Sequence, residues 1–323
     1  MPLPLRVLTW HVHGSYLQYL SSVPVTWLLP VRPDRTGGYG GRGATFRWPD
    51  NVVEVPADDV AGLDLDLVLT QSRANWELDR HALLGSRVHD LPRVHIEHDP
   101  PAAWPNDALH PVQDPEALLV HVTHFNRLMW DSGAAPSTVV EHGVAVPGLP
   151  WTGELARAVT VVNNLWTRGR RLGPDIFERV AAEVPVDLAG MGGERWPSWL
   201  GDVRLAELHQ RLPAYRVFVH PIRYTSLGLA VCEAMALGLP IVGLATTELA
   251  TVVQNGVNGY VETDVDRVVE HARRLVLDRE EAAALSTGAR QTAKERFGIE
   301  RFAADWSAVL HAQAGRGSLP PGR

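Results

Sequence analysis

The sequence predicts an α/β fold made of two domains, each a parallel sheet layered with helices. Three observations predict it. Short, continuously apolar runs recur along the 323 residues, as expected of parallel strands buried on both faces. Helical patterns separate these runs in both halves, the alternation that builds parallel sheets. Two prolines and two glycines interrupt the pattern at 147–153, between the halves.

In chain order, the first half offers strands at 5–9, 25–29, 51–55, 65–69, 93–96, 118–122 and 139–141. The second offers strands at 159–163, 186–189, 216–220, 240–243 and 259–262, with helices at 175–183, 204–212, 229–237 and 248–254. The chain then reads as three helices. In the last, Phe302, Trp306, Val309 and Leu310 fall on one helical face that must pack on something. Residues 314–323 are rich in Gly, Pro and Arg and read as a disordered tail.

Composition excludes several classes. Hydrophobic residues at 45% and charged residues at 21% rule out a largely disordered chain. A lone cysteine, Cys232, excludes an internal disulfide and a cysteine-rich metal site. The low-charge run 227–242 is interrupted by Glu233 and Pro240, so it predicts no membrane span; residues 1–10 show one Arg and no apolar run followed by a small-residue cleavage site, so secretion is not expected. A cytoplasmic protein without stable membrane anchoring is expected. The net charge of −7 lies in residues 1–150, which hold 10 Arg against 17 Asp and Glu, while 151–323 balance at 20 and 20. An acidic half gives no footing for nucleic acid or an anionic bilayer.

The strongest chemical signal lies at 225–240. Glu233 is the only charge in 227–242, and burying it unpaired would cost several kcal/mol. It requires a structural partner or a ligand with hydroxyl donors. Thr225, Ser226, Leu227 and Gly228 precede the helix, so free amides and the positive helix end would lie just after a parallel strand. α/β folds bind anionic ligands there. A phosphate at the helix start and a sugar hydroxyl on Glu233 would fit a nucleotide diphosphate.

The stretch from Val219-His220-Pro221 through Thr225-Ser226-Leu227-Gly228-Leu229 and Glu233-Ala234-Met235-Ala236 to Pro240 resembles the donor signature of retaining GT-B glycosyltransferases of the GT4 class. The likeness continues through Glu248 and the turn Asn255-Gly256-Val257-Asn258-Gly259, over about 100 residues. It implies two Rossmann-like domains with parallel sheets facing across a cleft. Residues 1–150 would be the acceptor side, 151–296 the nucleotide-sugar domain, and 297–313 a helix crossing back to the first domain. The family has two glutamates eight positions apart; here Glu233 is the second, set on the ribose hydroxyls, and Thr225 stands in place of the first. The resemblance further places Ser226, Leu227, Gly228 and Leu229 on the donor.

The same resemblance expects an Arg after the first strand of the second half and a Lys soon after, both on the diphosphate. Asn163 and Asn164 occupy the first position, and Arg168 or Arg170 the second. A solvated arginine turn is the alternative reading. Gly192, in Gly190-Met191-Gly192-Gly193, fits a backbone approach to the nucleotide, and Gly14 a donor contact in the first half. His98 ends a strand in His-Asp and is expected beside the donor sugar and the acceptor, whereas His95 and His121 read as core. The paired histidines raise a metal hydrolase, but His95-Ile96-Glu97-His98 is extended and its ligands are expected to alternate faces. No metal is expected. Gly38-Tyr39-Gly40-Gly41-Arg42-Gly43 matches a dinucleotide fingerprint without the strand and helix it needs, and reads as a mobile loop, one that could lie over the cleft. Cys232 reads as an inert core thiol.

The expected activity is metal-independent, retaining transfer of a sugar from a nucleotide-diphosphate sugar, UDP-linked in preference to GDP-linked. It would go to a hydroxyl or other nucleophile of a soluble small-molecule or saccharide acceptor. The alternatives are a non-catalytic nucleotide-sugar-binding relative and another GT-B enzyme such as a nucleotide-sugar epimerase. Monomer and dimer stay open.

Overall fold

The structure, a computed structural model, describes residues 3–104 and 107–317. It divides into two compact units, one of residues up to Gly143 with those from Ile299 onward, the other Val144–Gly298. The first division precedes the joint expected at 150, and the second follows the one expected at 296.

In the first unit the strands are β1 (Arg6–Leu8), β2 (Thr26–Val31), β3 (Val52–Pro56), β4 (Leu67–Thr70), β5 (Arg93–Glu97), β6 (Ala108–Leu109), β7 (Ala117–His121), β8 (Trp130–Asp131) and β9 (Ser137–Val139). Seven form one sheet in the order β3-β2-β1-β4-β5-β7-β9, with every pairing parallel. The two-residue strands β6 and β8 pair separately and are too short to show a period in the sequence. Helices α1 (Gly14–Leu20), α2 (Arg80–Leu84) and α3 (His124–Met129) lie between strands.

The second unit runs β10 (Leu155–Val161), α4 (Pro174–Ala181), β11 (Val186–Ala189), β12 (Trp199–Gly201), α5 (Leu205–Arg211), β13 (Tyr215–His220), α6 (Leu229–Ala236), β14 (Ile241–Leu244), α7 (Leu249–Val252), β15 (Gly259–Glu262), α8 (Val265–Leu277) and α9 (Arg279–Arg296). Its sheet order is β12-β11-β10-β13-β14-β15, again all parallel. Strands β11 and β14 are buried throughout; β14 is apolar accordingly, and the one charge of β11, Asp187, is paired with Arg157 and accepts from the Tyr215 hydroxyl at 2.7 Å. β10 lies between β11 and β13, so successive crossovers leave it on opposite sides, and ligands of open α/β sheets bind at such a reversal.

The last helix, α10 (Ile299–Gly317), belongs to the first unit. Phe302, Trp306 and Leu310 are fully buried. The Trp306 indole donates to the Tyr16 hydroxyl of α1 at 3.1 Å. Gln313 donates to the Glu116 carbonyl at 2.7 Å, fastening the helix to the chain entering β7. The crossing helix implied by the resemblance is therefore present. The helix continues to residue 317, past the start of the loose tail expected from 314; 318–323 lie outside the described residues.

The glycine-rich segment 38–43, expected as a mobile loop, makes specific contacts with its neighbours. Tyr39 is buried and its hydroxyl donates to Asp79 at 2.8 Å. Gly40 bridges to Val31, and the Arg42 amide donates to Glu54 at 2.7 Å. Among the described residues no helix is long and apolar enough to cross a membrane.

Trp306→Ala removes a fully buried indole and its hydrogen bond. It should cost about 3–5 kcal/mol in urea unfolding, and an unchanged midpoint would show that α10 does not hold the first unit together.

Candidate functional site

In the second unit the expected donor residues gather at the carboxyl ends of three adjacent strands, β11, β10 and β13. The loop leaving β10 is locked to the glycine turn after β11. The Met191 amide donates to Asn163 Oδ1 at 2.9 Å, and the Asn164 amide donates to the Met191 carbonyl at 2.7 Å. Gly192 has φ +71°, and a Cβ there would stand 2.7 Å from Asn164 Oδ1, so only glycine lets the two loops meet. Asn164 itself adopts φ +58°.

The arginine turn 168–171 is fastened in the same way to the loop after β13. The Arg223 amide donates to the Arg171 carbonyl at 2.9 Å and its guanidinium to the Arg170 carbonyl at 3.0 Å. Arg223 also makes a two-pronged pair with Asp175 at the start of α4, at 2.6 Å for each contact. These pairs hold the Asp175 carboxyl below its usual range, the Arg223 bond first. Gly173, at φ +71°, lies so close to the Pro221 carbonyl that a Cβ would overlap it. Arg170 pairs with Asp175 at 3.1 Å. Arg168 is exposed, and among the described residues no carboxylate pairs with it. The structure thus separates two arginines that the sequence leaves equivalent.

The loop then passes half-buried Thr225 and buried Ser226 and Leu227 into α6. Gly228 is the N-cap residue; no side chain caps the helix. Its φ of −66° is open to any residue, and nothing lies within 4 Å of where a Cβ would be. Neither backbone nor packing calls for glycine there. Glu233 is 3% exposed, and His209 of α5 brings its Nε2 to 3.5 Å from Glu233 Oε2. The buried carboxylate therefore has an imidazole neighbour that the sequence did not suggest, since 24 residues and a strand separate them. His220, at the end of β13, is held neutral by burial, its pKa lowered to about 4.

The first-unit candidates lie after β1 and β5. His98 is half-buried, with its ring 4.1 Å from that of His13 and 4.6 Å from that of Tyr16. Burial, then the neighbouring imidazoles of His13, His142 and His95, keeps its pKa well below the ordinary histidine value. Its Nε2 is buried without a hydrogen-bond partner. Gly14 opens α1, and a Cβ there would lie 2.7 Å from the Phe46 ring, so packing accounts for that glycine. The sequence gives no sign of Tyr16, His209 and Arg223, because the contacts each makes here reach residues distant in the chain.

The expectation that the strand ligands alternate needs correction. His95 and Glu97 are two apart and share a face, and with His110 they place one ligand atom each within 4.8 Å. Two of these groups, His110 and Glu97, are joined by a hydrogen bond. The Val112 amide donates to His110 Nδ1 at 3.0 Å, so the ring proton sits on Nε2 and is donated to Glu97 Oε2 at 3.0 Å. A cation on that nitrogen would force a proton onto Nδ1, facing the amide hydrogen.

Residues 170–278 match the family model described as Glycosyl transferases group 1. No curated protein matches the chain. Solved structures resemble it along nearly its whole length. Anabaena HepE (Alr3699), solved with UDP-glucose, aligns at TM-score 0.69 and 15% identity, covering 95% of this chain and 100% of that one. Sucrose-phosphate synthase of Thermosynechococcus elongatus aligns at 0.67 and 15%, covering 98% and 100%. A point mutant of S. aureus TarM, solved with fondaparinux, alpha-GlcNAc-glycerol and UDP, aligns at 0.59 and 14%, covering 76% of this chain; the chain spans 55% of TarM. The chain resembles GT-B glycosyltransferases, and its two parallel-sheet units have their fold.

His220 supplies a pH test. Its pKa is lower folded than unfolded, so the unfolded chain binds more protons between pH 6.5 and about 4. Stability contributed by keeping it neutral is present above 6.5 and lost as pH falls, at up to about 1.4 kcal/mol per pH unit. His220→Gln should flatten the acid limb of stability against pH; an unchanged slope would remove this residue from the linkage.

Proposed function

We propose that the chain is a retaining glycosyltransferase that moves a sugar from a UDP-sugar to a hydroxyl or other nucleophile of a soluble small-molecule or saccharide acceptor. One observation carries the reading. The loops at the ends of β11, β10 and β13 are bonded together beside an uncapped helix start whose Gly228 is left open, with Glu233 on the same helix. The family match over 170–278 supports it, because that segment holds the arginine turn, the loop and α6. HepE with UDP-glucose and TarM with UDP support uracil as the base and a nucleotide sugar as the donor.

In this reading the backbone of Ser226, Leu227, Gly228 and Leu229 receives the diphosphate at the positive end of α6. Glu233 accepts from the ribose hydroxyls. Asn164 and Gly192 line the backbone approach, and Thr225 takes the place beside the sugar. As the bond from the anomeric carbon to the phosphate oxygen breaks, the acceptor oxygen attacks the same face and its proton passes to the departing diphosphate. Arg168, with Arg170 beside it, stabilises the charge that develops there, so no metal is required. The acceptor is assigned to the first unit, with His98, held neutral, on an acceptor or sugar hydroxyl. Gly14 is assigned to the donor. A cytoplasmic location accords with this donor. Thr225 at a position where the family carries glutamate favours a second reading, a binding relative without turnover.

Release of nucleoside diphosphate from a panel of nucleotide sugars, with and without acceptor candidates, tests the proposal. Acceptor-dependent UDP release is expected. Donor binding with no turnover on any acceptor would select the second reading, and a changed sugar without acceptor would indicate an epimerase.

Two sets of variants refine the assignment. Glu233→Gln should weaken UDP roughly 10- to 100-fold, the worth of a charge-assisted bond, without loss of the fold. Arg168→Ala should weaken UDP more than uridine and Arg170→Ala less so, because Asp175 already engages Arg170. His98→Ala should leave UDP affinity nearly intact and lower turnover by roughly 10²–10⁴ if it moves a proton. Equal loss of UDP and uridine in the Arg168 variant would remove the clamp.

A further inference from the structure

His209 lies against Glu233, and the sequence alone gives it no role. It is 4% exposed in α5, its Nε2 is buried, and that atom makes no hydrogen bond. The nearest acidic oxygen is Glu233 Oε2 at 3.5 Å. A lone pair on Nε2 would face a carboxylate oxygen and repel it, so this nitrogen carries hydrogen and points it at Glu233. Hydrogen-bond distance for N–H to oxygen is about 2.9 Å, so a shift of roughly half an ångström closes the contact.

We infer that His209 is a positioning residue for the nucleotide: it directs the Glu233 carboxylate toward the ribose hydroxyls. This rests on the assignment of Glu233 to the ribose under the proposed function. A carboxylate on a flexible three-bond stem loses affinity through the orientations it must give up on binding. An imidazole fixed in a buried helix limits those orientations, and its N–H offsets part of the cost of keeping the charge out of water. Hydrogen bonding to one oxygen leaves carboxylate lone pairs for sugar hydroxyls, because the group accepts at about four sites. His209 itself touches no substrate.

The role predicts an effect confined to ligands that carry ribose hydroxyls. Binding of UDP and of 2′,3′-dideoxy-UDP is measured by calorimetry for the full chain and for His209→Leu, His209→Gln and His209→Asn. The native chain should prefer UDP. His209→Leu should weaken UDP roughly 3- to 10-fold, a part of the worth of the charge-assisted bond to Glu233 because His209 acts on the ligand only through that carboxylate, and leave the dideoxy ligand unchanged. His209→Gln, which keeps a donor of similar reach, should recover most of the loss, while the shorter His209→Asn should not. Equal weakening of both ligands in His209→Leu would make His209 a packing residue and overturn the inference, with the ribose assignment intact. If His209→Leu does not fold, the Gln and Asn variants decide, and equal UDP affinity in the two overturns it. Equal binding of the two ligands by the native chain would instead defeat the ribose assignment of Glu233.

Discussion

When every strand of a sheet runs the same way, each chain connection must cross back over a face, and each strand must end on the same edge as its neighbours. That constraint governs the second unit. β11, β10 and β13 are adjacent and parallel, so the loops leaving them meet without any sequence proximity. The crossing segments also bury both faces, which is why the central strands are rich in apolar residues.

The loops at that edge are held by a small number of specific contacts. Asn163 and Asn164 bind the turn at Met191, and Arg223 reaches the carbonyls of the arginine turn and Asp175 together. Left-handed glycines at 173 and 192 let these backbones approach where a side chain would overlap. These contacts fix the loops before any ligand arrives, so the ordering cost of binding an anion at α6 is reduced. Glu233 deepens the same arrangement, since a carboxylate buried at 3% exposure must be oriented by the fold.

Much of this was legible in the sequence. Continuous apolar runs revealed the parallel strands, and the isolated charge of Glu233 in 227–242 singled out the helix. The spacing of Phe302, Trp306 and Leu310 exposed the face that α10 buries. What escaped depends on pairs far apart in the chain. Nothing near His209 announces Glu233, and nothing separates Arg168 from Arg170 until Asp175 is placed beside the latter. The strand histidines show a different failure. Reading His95 through His98 as alternating was right for neighbours, yet it overlooked that His95 and Glu97 share a face and that a later loop returns His110 to it. The Val112 amide, donating to His110 Nδ1, leaves Nε2 of that ring to face Glu97.

Hydrogen–deuterium exchange of the full chain with and without UDP tests the central claim, that the nucleotide lies on the strand-end loops of the second unit. The account predicts slowed exchange concentrated at 163–171, 190–193 and 225–233, with the amides just after Gly228 most protected. Protection that spared 225–233 and fell elsewhere in the chain, at UDP concentrations that saturate binding, would contradict it.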